Sequence, residues 1–144
     1  MTPPDQTARQ RWLALLAKAP PARLAALLPE LPAHQQLRAP EVGAVMVRGR
    51  VGGTAEPFNL GEMTVTRASV QLADGAVGHA WVQGRDKTHA TRAAVLDALL
   101  QSDGTHNSLI ETLAIEAEAR RSARSARAAA TKVDFFTMVR GEDQ

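Results

Sequence analysis

The chain has 144 residues, of which 44% are hydrophobic and 22% charged, a balance typical of a globular protein with a core of its own. It contains no cysteine, which excludes disulfides, thiolate catalysis and cysteine-ligated zinc or iron–sulfur centres within the chain. The formal net charge is only +2, too small to indicate a nucleic-acid-binding protein. We therefore expect a single domain over residues 1–144.

Targeting and membrane signals are weak throughout the sequence. The opening segment, MTPPDQTARQRW, lacks the basic start and apolar core of a signal peptide. No apolar run approaches the ~18 residues that a spanning helix requires. These features, with the lack of cysteine, predict a cytoplasmic protein that does not bind a membrane.

The first third of the chain is predicted to be a helical hairpin. Apolar residues recur at helical spacing from Ala8 to Ala19, and Pro20 ends that helix. A second helix begins at Pro21, where a missing N–H is tolerated, and ends at Pro29. Both helices carry leucines on one face, so we expect that face to be buried.

Strand signals fill the middle of the chain. Three stretches rich in β-formers are predicted strands: Val42–Val51, Met63–Leu72 and Val77–Gly84. Gly52 and Gly53 end the first strand, and Asp74-Gly75 predicts a two-residue turn between the second and third. The apolar alternation changes phase along the second strand, which favours either a bulge near Arg67 or cover on both faces.

Helices return in the last third. Asp86 is placed to cap a helix that ends at Ser102–Gly104, and a longer helix begins near Asn107 or Ser108. Val133–Val139 is a predicted fourth strand. The expected fold is therefore α+β, an antiparallel sheet of about four strands with an N-terminal helical hairpin and two further helices between strands three and four.

A glycine–arginine segment is the first candidate binding site. Arg48 and Arg50 can fork onto phosphate oxygens, while Gly52 and Gly53 let backbone N–H groups face an anion. The segment lacks the GK[ST] ending of a P-loop, and the alternative is two solvated arginines beside a glycine turn.

The strand-to-helix turn is a second candidate. Arg85 and Lys87 flank Asp86 there and could add cations to a phosphate site. The alternative, which we favour, is an N-cap aspartate between two solvated charges.

Histidines supply no recognisable catalytic or metal centre. His79 could act as a general base, since imidazole titrates near neutrality, or it could be a hydrogen-bonded, half-buried side chain. No serine or cysteine nucleophile stands in a motif with it. His34, His89 and His106 show no metal-ligand spacing. We therefore predict no catalytic residue and no metal site in this chain.

Two further surfaces are candidates for contact with partners. Core is the first interpretation for four apolar side chains at strand positions: Trp81, Phe135, Phe136 and Met138. The last three place apolar bulk on both sides of the last predicted strand, which is therefore either central in the sheet or covered by a partner chain. A basic run from Arg120 to Lys132 could meet nucleic acid or an acidic protein surface. Because no nucleic-acid-binding motif is present, we favour a solvated helix face and predict no nucleic-acid partner.

Five ordered segments together resemble one protein family. They are RQRWLALLA, VRGRVGGT, LGEMTVTRASV, GHAWVQGRDKTHA and the ending VDFFTMVRGED. In this order they resemble the PhnG family, the G subunit of the bacterial carbon–phosphorus lyase core complex of phosphonate breakdown. The resemblance spans nearly the whole chain.

The resemblance implies a subunit of a cytoplasmic assembly with the H, I and J subunits and an ATP-binding-cassette-like partner protein. That assembly is associated with forming alpha-D-ribose 1-methylphosphonate 5-triphosphate from ATP and methylphosphonate. The family places chemistry on other subunits, so the implied role is a non-catalytic or site-completing one. It further implies two copies per complex or a homodimer, no cofactor in this chain, and ATP as a substrate of the complex.

Two other functions remain open on the residues alone. One is a stand-alone enzyme or binding module for a phosphorylated ligand that uses the Arg48/Arg50 glycine loop, with His79. The other is a basic helix that binds nucleic acid, which would show a steep salt dependence.

Overall fold

The computed structural model describes residues 6–102 and 104–133. Its elements, in chain order, are α1 (Gln6–Lys18), α2 (Pro21–Leu27), β1 (His34–Arg50), a 3-10 turn (Val51–Gly53), β2 (Pro57–Leu72), β3 (Val77–Gln83), α3 (Lys87–Ser102) and α4 (Asn107–Ala130).

The α+β class with an antiparallel sheet is confirmed, but the strand number is lower than predicted. Within the described residues the sheet has three strands in the order β1-β2-β3, not about four. The predicted fourth strand falls on residues 133–139, of which only Val133 is described. The candidate interface residues Phe135, Phe136 and Met138 also lie outside the described residues.

β1 and β2 form a hairpin much longer than the predicted strands. Their pairing runs from His34↔Leu72 to Arg50↔Pro57, with two register shifts between Gln36 and Glu41 and a third between Val47 and Arg48. β3 pairs only with residues 65–71 of β2. Residues 44–64 therefore extend past the third strand as a two-stranded ribbon, which we call the hairpin arm. The outer part of the arm lacks a buried face, so apolar alternation missed residues 57–62 of β2. In β1 the missed residues are 34–41, which are mostly exposed and interrupted by two register shifts.

The turn between β2 and β3 is one residue longer than predicted. The N–H of Leu72 donates to the carbonyl of Ala76 at 2.9 Å, so three residues form the loop rather than two. Gly75 ends the loop at φ +89°, the left-handed conformation that three-residue hairpin loops require at this position. The extra residue shifts the register of β3 by one.

The core lies between the sheet and the helices. The inward side chains of β2 and β3 pack on α3, which in turn packs on α1 and α2, while α1 also contacts α4. Leu16, Leu24, Leu96 and Leu113, one from each helix, are fully buried. The contact of α3 with the sheet is closest at Gly78.

No side chain fits at Gly78. A Cβ there would lie 2.6 Å from the backbone nitrogen of Ala98 and closer still to the carbonyl oxygen of Ala94. Glycine at this strand position is therefore what allows the α3 backbone to rest directly on β3.

Candidate functional site

The outer face of β2 and β3 carries the polar and aromatic side chains of the sheet. Side chains alternate along each strand, and those at even positions, such as Val70 and Val82, are buried against α3. The odd positions present Arg67 and Ser69 from β2 and His79 and Trp81 from β3. We call these four residues the outer-face cluster.

Ser69 and His79 form a direct contact within this cluster. The register pairs them across the two strands, and the Ser69 Oγ lies 2.8 Å from His79 Nδ1. No local pattern predicted this pair, because the two residues stand ten positions apart and belong to no known motif. The pair could have been found only from the strand register of the β2–β3 hairpin. The predicted two-residue turn shifts that register by one residue and therefore pairs the wrong residues.

The carboxylate nearest this pair holds the backbone rather than the imidazole. The backbone N–H of His79 donates to Asp97 Oδ2 at 2.8 Å. Asp97 is fully buried and also accepts bonds from Arg9, at 2.7 Å and 3.2 Å, and from the Trp12 indole at 2.8 Å. A serine nucleophile needs a base that is itself oriented by a third group. Here Asp97 instead ties α1, α3 and β3 together.

Arg67 and Trp81 form the other half of the outer-face cluster. The Arg67 guanidinium lies 5.5 Å from the centroid of the Trp81 ring, a cation–π arrangement. Trp81 is 53% exposed, so its assignment to the core was wrong: its strand faces α3 only through even-numbered residues. Arg67 also donates to Glu41 of β1.

Glu41 is the charge partner of this half. The hydrogen bond from Arg67, helped by one from Arg38, holds the pKa of the Glu41 carboxyl below its usual value of 4.5. Glu41 therefore stays ionised and fixes the guanidinium across β1 and β2. An exposed indole beside a fixed guanidinium can bind the surface of another molecule. Neither side chain is a nucleophile or a general base.

The predicted phosphate residues fall into two separate places. Arg48, Arg50, Gly52 and Gly53 lie at the tip of the hairpin arm. An open depression of about 510 Å³ is lined by three of them, Arg48, Arg50 and Gly53, together with Gly49 and Pro57. Gly52 and Gly53 adopt φ +59° and +78°, and Arg50 donates to the carbonyl of Ala55 at 3.0 Å.

The other two predicted phosphate residues lie at the base of the arm. Arg85 and Lys87 follow β3, whose last pair with β2 is Gln83↔Val65. Arg48 pairs with Asn59, six residues further along β2, which corresponds to about 20 Å of strand. The register thus keeps the two sets apart within one chain, and a single phosphate group meets only one of them.

Asp86, between Arg85 and Lys87, is a helix cap as favoured from the sequence. Its Oδ1 accepts the backbone N–H of His89 at 2.8 Å. His89 is itself buried, with Nε2 2.8 Å from the carbonyl oxygen of Leu16 at the end of α1. These contacts join the start of α3 to α1 and give the turn a structural role.

Apolar side chains are exposed along the hairpin arm. Met46, Val51, Phe58 and Leu60 have exposed fractions between 42% and 68%. Such a concentration on one projecting element is typical of a surface that contacts another molecule. The sequence did not indicate this surface, because Met46 and Val51 belonged to a predicted strand and Phe58 and Leu60 fell between two predicted strands.

Within residues 6–102 and 104–133, no group of three His, Asp or Glu side chains is arranged to hold a metal ion. None of the helices in the same ranges is long and apolar enough to cross a bilayer.

Comparison with known proteins is consistent with these features. The family model described as phosphonate metabolism protein PhnG matches residues 7–141. The alpha-D-ribose 1-methylphosphonate 5-triphosphate synthase subunit PhnG of Rhizobium meliloti (strain 1021) is 46% identical to this chain, over 94% of the chain and 90% of that relative. The chain therefore belongs to the PhnG family.

Proposed function

We propose that the chain is a non-catalytic or site-completing subunit of the carbon–phosphorus lyase core complex. In that role it supports formation of alpha-D-ribose 1-methylphosphonate 5-triphosphate from ATP and methylphosphonate in the cytoplasm. The observation that carries the proposal is the 46% identity, over nearly the full length of both chains, to a relative named as a subunit of the corresponding synthase.

The exposed arm supports a role within an assembly. Four large apolar side chains project from residues 46–60, where the arm has left the cover of β3 and the helices. Burying them in a partner removes apolar surface from water at about 25 cal/mol per Å². The partners we propose are the H, I and J subunits, with two copies of this chain per complex.

The arm tip supports the site-completing part of the role. Arg48 and Arg50 stand on an element that reaches away from the body of the chain, beside two glycines with no side chain to block an approaching anion. We propose that they contact phosphate oxygens in a site formed mainly by another subunit. Arg85 and Lys87, at the base of the arm, would face a different part of the same ligand or a second one.

Reconstitution separates this role from a stand-alone enzyme. The chain alone should not turn over ATP with methylphosphonate, whereas the assembled complex should, and omission of the chain should abolish activity. Adenine release is the readout. Turnover by the purified chain alone, lost when Ser69 is replaced by Ala, would show instead that the outer-face cluster is catalytic.

The arginines of the arm tip have their own test within the complex. Arg48→Ala and Arg50→Ala should each raise the KM for ATP while leaving assembly intact, because a lost charge-assisted bond to phosphate weakens binding of the substrate. The control is Arg38→Ala, which removes an exposed arginine of the same strand far from the tip. An unchanged KM in both tip variants would remove the phosphate role.

A further inference from the structure

A basic groove runs between α1 and α4, on a different part of the molecule from the outer-face cluster. On α1 it is lined by Arg11, Ala14, Leu15 and Lys18, and its volume is about 660 Å³. The spacing of these residues, i, i+3, i+4 and i+7, places them on one face of the helix. They span two turns, or about 10 Å along the axis.

The opposite wall of the basic groove repeats this pattern. On α4 it is lined by Ala117, Arg120, Arg121 and Arg124, again at i, i+3, i+4 and i+7. Two helix faces of equal length therefore border the groove, and each has small apolar residues among cations. The arginine run on α4 is visible in the sequence, but only the fold shows that Arg11 and Lys18 of α1 line the same groove.

Positive charge is concentrated in this groove. It holds five of the 17 Lys and Arg side chains of a chain whose formal net charge is +2; without these five the net charge would be −3. Arg121 pairs with Glu118 at 3.1 Å, and Arg120 lies 3.9 Å from Glu116. These two contacts neutralise part of the α4 wall.

Three cations of the basic groove remain uncompensated. Among residues 6–102 and 104–133, Arg11, Lys18 and Arg124 have no ion-pair partner. Like charges held together on neighbouring helices repel, and a ligand with negative charge relieves that repulsion. The charge of the groove therefore favours binding of an anionic ligand.

The floor of the basic groove decides what kind of anion fits. Ala14 and Leu15 from α1 and Ala117 from α4 form an apolar strip between the cations. Nucleic acid or free polyphosphate would use the cations and gain nothing from that strip. An amphipathic helix uses both, since its apolar stripe packs on the strip and its flanking carboxylates reach the cations.

We propose that the basic groove is the docking site for an acidic amphipathic helix of a partner subunit. This inference rests on the proposed function as far as the existence of a partner is concerned. The incoming helix packs its apolar stripe against Leu15 and Ala117 and places Glu or Asp side chains beside Arg11, Lys18 and Arg124. Small residues at the floor let the third helix approach the other two closely.

Charge reversal in the reconstituted complex tests the cations. The triple variant Arg11→Glu/Lys18→Glu/Arg124→Glu should raise the Kd for the partner subunits at least about tenfold at low salt, and added NaCl should weaken assembly of the unmodified chain more steeply than that of the variant. The matched control pair is Arg124→Glu and Arg127→Glu, the same change one turn apart on α4. Only the first should weaken assembly, because Arg127 does not line the groove.

Cross-linking identifies the occupant independently of any effect on folding. The chain has no cysteine, so Ala14→Cys creates a unique site at the groove floor for a benzophenone maleimide. After illumination of the assembled complex, the cross-linked peptide should come from another subunit and carry at least two carboxylates at helical spacing. A cross-link to a peptide without carboxylates, or no cross-link in an intact complex, would overturn the proposal.

Binding of small anions and nucleic acid completes the test. Titrations use inorganic tripolyphosphate and a 20-base-pair DNA duplex as probes. Tight binding of either probe that is lost in the triple variant, with assembly unchanged, would refute a protein helix as occupant. If the unmodified chain itself fails to join the other subunits, the proposed function fails as well; if it joins and the triple variant joins equally, only the groove inference fails.

Discussion

Replacing Asp97 with Asn should destabilise the fold severely although the change is nearly isosteric. The two Asp97 oxygens accept four donors: two N–H groups of Arg9, the indole N–H of Trp12 and the backbone N–H of His79. Asn offers one accepting oxygen and one NH₂. In either orientation of the amide, the NH₂ therefore faces two of these donors.

The cost follows from which donors lose their acceptor. With the amide oxygen at the Oδ1 position, Arg9 Nη2 and the His79 N–H are left without an acceptor. With the amide reversed, the Trp12 indole and Arg9 Nε are. Arg9 is 30% exposed and can turn to water, whereas the Trp12 indole is buried and the His79 N–H is part-buried. An unsatisfied buried donor costs about 1–3 kcal/mol and a lost bond to a charged group about 1.5–3 kcal/mol. Together they give about 2.5–6 kcal/mol, which brackets the ~3–5 kcal/mol found when one partner of a buried ion pair is removed.

Urea unfolding of the full chain, followed by the fluorescence of its tryptophans, measures this loss. With an m-value of about 2 kcal/mol/M, the midpoint for Asp97→Asn should fall by about 2 M. Glu111→Gln, the same chemical change on the exposed face of α4, is the control and should shift stability by less than about 0.5 kcal/mol. A loss under 1 kcal/mol for Asp97→Asn would mean that this node does not hold α1, α3 and β3 together.

Three other perturbations test separate parts of the structure. Gly78→Ala should cost at least about 1–3 kcal/mol because α3 must move away from β3, whereas Gly43→Ala, with open space around its Cβ position, should be close to neutral in the same urea assay. Arg67 lowers the folded-state pKa of Glu41, so the contribution of this ion pair to stability is complete above the ordinary pKa of 4.5 and is lost as the pH falls through the lower folded value. Glu41→Gln should therefore flatten the acid side of a plot of Tm against pH. An unchanged acid side would contradict the pairing. His79→Gln should keep turnover of the reconstituted complex within about tenfold of the unmodified one, since the loss of a general base would cost 10²–10⁴-fold; a hundredfold fall in kcat with assembly intact would place His79 in an active site.

Local signals in the sequence predicted the helices and the fold class well. The start of α2 at Pro21 and the capping of α3 by Asp86 depend only on neighbouring residues, so both can be recognised without tertiary information. β1 and β2 were predicted too short because the residues missed, 34–41 and 57–62, are paired but hardly buried, and burial is what produces apolar alternation. The α4 cap predicted at Asn107 or Ser108 was also displaced: the residue before the helix is His106, and its side chain makes no capping bond.

The candidate site was less accessible to sequence reasoning because it depends on register and on long-range contacts. The Ser69–His79 contact follows from a three-residue loop, and counting Asp74-Gly75 as a two-residue turn moves every pair by one. Asp97 joins residues more than 80 positions away to α3, which no local pattern encodes. Arg48 and Arg85 were both phosphate candidates in the sequence, and only the strand register shows that the length of the arm separates them.

The two borders of the sheet differ in a way that limits how copies of this protein can associate. Along β3, the outward carbonyl of Val77 accepts the Gln101 amide at 2.9 Å, and the outward N–H of His79 is taken by Asp97. Another strand would find the hydrogen-bonding row interrupted there. Along β1, none of the outward backbone groups has a partner within residues 6–102 and 104–133. A sheet that can be extended from one side only accepts one neighbouring strand and then stops growing. Open-ended fibres need two complementary borders, so this arrangement permits finite assemblies and disfavours polymerisation through the sheet.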